Sequence, residues 1–125
     1  MIAQKTFLLL GSINMLLAVM LGAFGSHGLK DKLDERLFNA FSTGVQYHFY
    51  HAPGLLAIGL LSQWLVDSSL LKTSGWLMLS GIICFSGSLY ALALTGNKLF
   101  GPITPIGGLL FIASWALLSA AIIKA

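Results

Sequence analysis

Polar and apolar residues separate along this chain in blocks. Every Asp, Glu, Lys and Arg lies at position 5, within 30–36, or at 67, 72, 98 or 124. Between them stand four uncharged windows, 6–29, 37–66, 73–97 and 99–123. Each can hold the ~20 residues that an α-helix needs to cross a bilayer. Backbone N–H and C=O groups find no water in hydrocarbon, so each window is expected to satisfy them internally as a helix. The alternation of a membrane β-strand is absent. The expected fold is an all-α membrane protein with four transmembrane helices over 6–25, 47–66, 74–95 and 104–123, one domain spanning 1–125.

The second window is too long for one span, and its first part has a different character. Leu29, Leu33, Leu37, Phe41 and Val45 recur every fourth residue, with Phe38 alongside. That spacing makes one apolar stripe on a helix. Lys30, Asp31, Lys32, Asp34, Glu35, Arg36 and Asn39 occupy the remaining positions. This pattern predicts an amphipathic interfacial helix near 30–44, between the first and second spans. The alternative is a short helix packed over the end of the bundle. Pro53 either starts the second span or kinks a continuous helix. "VDSSLLKTSG" at 66–75 and "TGNKLFGP" at 95–102 read as connections.

Composition agrees with the membrane reading. The chain is 57% hydrophobic and 9% charged, with a mean hydropathy of +0.88. A soluble domain carries about a quarter charged residues. The net charge of +3 comes from scattered basic residues with no patch, so no nucleic acid is expected as a partner. Lys5 precedes the apolar run Thr6–Phe24, which exceeds the ~7–15 residues of a signal-peptide core and is read as a retained first helix. The localisation expected is the inner (plasma) membrane, multi-pass. Basic residues divide evenly between the two faces, so charge assigns no orientation. Cys84, the one cysteine, stands in an apolar segment and is read as a packed thiol.

Four antiparallel helices place alternate connections on one membrane face. "AFGSHG" at 23–28, "QYHFYH" at 46–51, "FSGSLY" at 85–90 and "GPITPIGG" at 101–108 all fall toward the same face. The three histidines, His27, His48 and His51, gather there with Tyr47, Tyr50 and Tyr90, and with Ser86, Ser88 and Thr104. Three imidazoles could hold a metal, with water, Asp34 or Glu35 as a fourth ligand to zinc. The plainer reading is an interfacial belt or a structural hydrogen-bond network. Haem between histidines is a further option, although no C-x-x-C-H attachment motif occurs.

Proton-coupled transport needs an ionisable group inside the bundle, and no Asp or Glu falls within a span. Asn14, the strongly polar residue of the first helix, is expected to make an interhelical hydrogen bond. Small residues, among them Ala113, Ser114, Ala116, Ser119 and Ala120, lighten helix faces for close packing within or between chains. "GPITPIGG" reads as a helix start with Pro105 in its first turn. Nucleophile elbows, phosphate loops and H-E-x-x-H are missing, so no enzyme is expected.

The same four motifs, "GAFGSHGL" at 22–29, "QYHFYHA" at 46–52, "FSGSLYALALTG" at 85–96 and "GPITPIGG" at 101–108, occur in this order in a family that the chain resembles. It is the YgdD/YwdK-like family of uncharacterised small bacterial membrane proteins, related to the transmembrane protein 256 group. Ser26 and Pro53 depart from its usual pattern. The resemblance implies a four-helix inner-membrane protein and supplies no catalytic residue, substrate or cofactor. The positions that match its motifs are the candidate binding face: His27, Gln46, Tyr47, His48, His51, Ser86, Ser88, Tyr90, Thr104 and Pro105. The expected role is a non-enzymatic membrane module that binds lipid or a protein partner at this face, with no resident cofactor and possible homo-oligomers. The alternatives are a small-solute transporter or channel, and a metal- or haem-binding redox accessory protein.

Overall fold

A computed structural model describes residues 2–125. It is helical throughout, with no strand among the described residues. Helix α1 spans Ile2–Phe24 and runs on into a wide π turn over Gly25–Leu29. Helix α2 spans Glu35–Leu61. Helix α3, Ser69–Gly81, passes through a second π turn, Ile82–Ser86, into α4, Gly87–Thr95. A short 3-10 turn over Lys98–Phe100 leads to α5, Ile103–Lys124. Three of these stretches, Ile2–Leu29, Ser69–Thr95 and Lys98–Lys124, are long and apolar enough to cross a membrane.

The largest departure from the sequence reading is in α2. No separate interfacial helix forms over 30–44; one helix runs unbroken from Glu35 to Leu61. Its start is set by Asp34, whose carboxylate accepts the Leu37 N–H at 2.8 Å. Nothing at 44–47 breaks the helix, and Pro53 lies inside it. The apolar stripe also packs onto the bundle: Leu29 and Phe41 are buried with Ala93, and Leu33, Val45 and Tyr90 lie against them. The helix also ends at Leu61, before the expected 66. At about 1.5 Å per residue, α2 is roughly 40 Å long. Its charged first turn and its polar "QYHFYH" keep it outside the apolar class of the other three.

Helix α3 begins earlier than expected, at Ser69, because the Ser68 hydroxyl caps the Leu71 N–H at 3.1 Å. The predicted break at 95–102 is present: Gly96 takes a left-handed φ of 69° and ends α4, and Asn97 caps the turn that follows. Helix α5 matches its expected bounds to within a residue.

Close packing holds the helices in place. Gly11 of α1 faces Leu56 of α2, and Gly59 of α2 faces Leu8 of α1, so each helix offers a notch to the other's leucine. On the other side Ser74 and Ser114 donate to each other's backbone carbonyls, at 2.8 and 2.9 Å, joining α3 to α5. Phe7, Leu55, Ile58, Leu71, Met78, Ile82 and Phe111 form the main apolar core. Leu9, Leu16, Met20, Leu109, Ile112 and Ile123 point outward. Exposed apolar side chains on helices of this length suit a hydrocarbon surround.

Candidate functional site

Helix α2 carries the site, and its geometry divides "QYHFYH" among three directions. Gln46 and Tyr50 are exposed, and the Gln46 amide donates to the Tyr50 hydroxyl at 2.6 Å. His48 turns toward α1 and α4. Tyr47 and His51, one turn apart, face α5 and the π turn over Ile82–Ser86.

His48 is sealed, with 3% of its surface exposed. The Asn14 amide nitrogen donates to the Leu10 carbonyl at 2.8 Å, so Oδ1 is the atom that meets His48 Nε2, at 2.9 Å. An amide oxygen only accepts, so Nε2 carries the proton. The neutral ring's Nδ1 then accepts from the Tyr90 hydroxyl at 2.9 Å. The chain Asn14–His48–Tyr90 thus ties α1, α2 and α4 together with every ring nitrogen used. Tyr90 also packs against Phe41. This supplies the interhelical partner that Asn14 is expected to have.

His51 is equally buried, at 5%, but is held differently. Its Nδ1 lies 2.7 Å from the Tyr47 carbonyl of its own helix. Its ring stacks flat on Phe111, with centroids 3.5 Å apart and planes 7° apart. Trp115 stands at 5.8 Å, and Tyr47 packs on Phe85 at 4.5 Å. Beside them opens an apolar groove of about 600 Å³ between α2 and α5. Tyr47, His51, Phe85, Pro105, Gly108, Leu109, Phe111, Ile112 and Trp115 line it.

The π turn shapes one wall of the groove. The Gly87 N–H reaches back five residues to the Ile82 carbonyl, and the extra residue lets the Ser86 hydroxyl donate to the Gly44 carbonyl of α2 at 2.7 Å. The Phe85 backbone presses on Gly107 so closely that α5 has no room there for a Cβ. Ser88 donates to the Phe85 carbonyl, which leaves Thr104 to donate to the Ser88 oxygen at the start of α5.

Of the candidate face, the structure joins His48 with Tyr90, Tyr47 with His51 and Pro105, and Ser88 with Thr104. Ser86 braces the frame through Gly44. His27 is exposed in the first π turn, whereas the other two histidines are buried. The three imidazoles do not converge, and no group of three or more His, Cys, Asp or Glu that could hold a metal occurs among the described residues. H-x-x-H therefore supplies two separate environments. Phe85, Gly108, Phe111 and Trp115 were not among the candidates; Phe85 and Gly108 stand at the edges of two of the quoted motifs, whereas Phe111 and Trp115 are ordinary apolar-window residues that only the packing of α5 against α2 marks.

The chain matches a family described as a protein of unknown function, DUF423, over residues 21–108. It is 49% identical to the UPF0382 membrane protein YwdK of Bacillus subtilis (strain 168), over 97% of this chain and 98% of that protein. A UPF0382 membrane protein of Staphylococcus epidermidis (strain ATCC 12228 / FDA PCI 1200) is 48% identical over the same shares. A third, SSP2132 of Staphylococcus saprophyticus, is 47% identical over 92% of this chain and 94% of its own. No solved structure matches the chain. The matched segment holds the groove's α2 and π-turn walls and the first turn of α5, and the near full-length likeness to YwdK covers the rest: the chain belongs to the DUF423 family of membrane proteins, in keeping with its YwdK-like motifs.

Proposed function

We propose that this protein is a four-span, non-enzymatic module of the inner (plasma) membrane that binds a membrane-dissolved lipid in the groove between α2 and α5. Helix α2 serves as the fourth span, since its length suffices and its histidines turn into the bundle rather than toward lipid. The amphipathic first turns of α2 lie at the membrane surface. One observation carries the lipid reading: a wide apolar groove is lined by a buried imidazole, His51, whose Nε2 has no protein partner among the described residues. Ligand sites are typically apolar clefts with a few placed polar groups. Exposed small residues on α5, Ala116 and Ser119, support self-association as part of the same reading.

The test is lipid retention. Gly108 borders the groove with only the Phe85 ring near it, at 3.9 Å, so Gly108→Leu fills the groove without disturbing the backbone. Mass spectrometry of lipid extracted from protein purified in mild detergent should find a bound lipid in the native chain and little in the variant. Identical lipid content in both would remove the groove from the function. A concentration series in light scattering checks self-association; a monomer throughout would exclude it.

A further inference from the structure

The groove's chemistry narrows what fills it; the inference below rests on the lipid-binding reading and names the lipid class. His51 Nδ1 faces a carbonyl, which only accepts, so Nδ1 carries the proton and Nε2 presents a lone pair. No side-chain nitrogen or oxygen sealed from the surface lacks a partner among the described residues. Nε2 has no partner, so it reaches the groove that His51 lines. A ring 95% buried therefore aims one acceptor into an apolar space.

Depth restricts the donor. His51 lies about 15 Å along α2 from Leu61 and about 24 Å from Glu35, at ~1.5 Å per residue. That is inside the ~30 Å hydrocarbon layer. Acyl chains carry no O–H or N–H, and phospholipid headgroups stay at the interface. A donor at this depth belongs to a neutral molecule that dissolves in hydrocarbon. The walls restrict its shape. Tyr47, Phe85, Phe111 and Trp115 offer aromatic surfaces, which favour a flat ring in offset or edge contact. Leu109 and Ile112 continue the groove for an apolar tail.

We propose that the α2–α5 groove binds a membrane-dissolved quinol, its ring against the aromatic walls, its O–H donating to His51 Nε2 and its tail along Leu109 and Ile112. The oxidised quinone presents only carbonyl oxygens, and an acceptor facing Nε2 gains no hydrogen bond. The Tyr47 O–H and the Trp115 N–H, which line the same groove, can donate to an oxygen of either form, so the discrimination rests on His51, which favours the reduced one. Only binding is involved; no bond is made or broken.

The experiment is anaerobic titration calorimetry of the full chain in mild detergent with decyl-ubiquinol, decyl-ubiquinone and dodecanol. The quinol should bind at least about tenfold more tightly than the quinone, the worth of one well-made hydrogen bond. Dodecanol, which has the O–H without the ring, should bind more weakly than the quinol. His51→Phe keeps the stack on Phe111 and should bring the quinol down to the quinone's affinity. Equal binding of quinol and quinone by the native chain overturns the proposal, and so does dodecanol matching the quinol. If His51→Phe does not fold, the native ratio decides alone. If Gly108→Leu strips a co-purified lipid yet quinol and quinone bind alike, the groove reading stands and the quinol proposal fails. If Gly108→Leu changes no lipid, both fail.

Discussion

His48 and His51 stand three residues apart on one helix and are buried to nearly the same degree, yet their surroundings are opposite. His48 gives both nitrogens to other helices, one to Asn14 of α1 and one to Tyr90 of α4. His51 gives one nitrogen to its own backbone and leaves the other to the groove. A buried polar group with every bond made fixes helices in register and has nothing left to offer a ligand. One with a bond left over marks the place where something else can bind. Burial alone does not separate the two; the bonds made by each nitrogen do.

The largest effect expected is at the π-turn wall of the groove. Gly107→Ala would press a methyl into the Phe85 backbone, which has no flexible end to yield. Overpacking of this kind costs about 1–3 kcal/mol, and the upper end is expected because backbone must shift. Gly108→Ala, one residue on, finds only the Phe85 ring at an ordinary contact distance of 3.9 Å and should not destabilise, with a gain of up to about 1 kcal/mol from the stiffer backbone. Unfolding in detergent by SDS titration compares them; equal effects would mean that α5 does not sit on the π turn as described.

Next comes the sealed side. His48→Leu strands the Asn14 amide oxygen and the Tyr90 hydroxyl, and should cost about 2 kcal/mol. Tyr90→Phe removes one interhelical bond and should cost nearer 0.6 kcal/mol, the average for such bonds in membranes. With both replaced, the loss should fall short of the sum, because the two residues share one bond. Strict additivity would show that the His48–Tyr90 bond contributes nothing.

Sequence showed much of the frame and little of the division between these sites. Charge-free windows marked the helices, because hydrocarbon excludes charge over a fixed thickness, and α5 matched closely. The α2 boundary was misplaced for a physical reason. An apolar stripe of spacing four looks alike whether it meets lipid or another helix, and here Phe41 meets Leu29 and Ala93. Asn14 was legible as a polar residue in need of a partner, but not which histidine would supply it. H-x-x-H looked like a pair, since helix neighbours at that spacing share a side. The partners lie on other helices, and they turn the rings apart. Phe111 and Trp115 had no signal at all, because an aromatic residue in a span is most often core. The π turn depends on how Ser86 meets Gly44, a contact between residues distant in sequence.

A smaller stability effect than at His48, and the sharpest contrast with it, is expected at His51. His51→Phe preserves the ring stacked on Phe111 and loses only a bond to a carbonyl that the helix already uses. Stability should change by less than about 1 kcal/mol, since no buried group is stranded. Lipid retention should fall sharply in the same protein. A variant that unfolds like the native chain and still loses its lipid would place binding in the open nitrogen. If instead His51→Phe destabilised the bundle as much as His48→Leu, His51 would be a second structural tie, and the distinction between the two histidines would collapse.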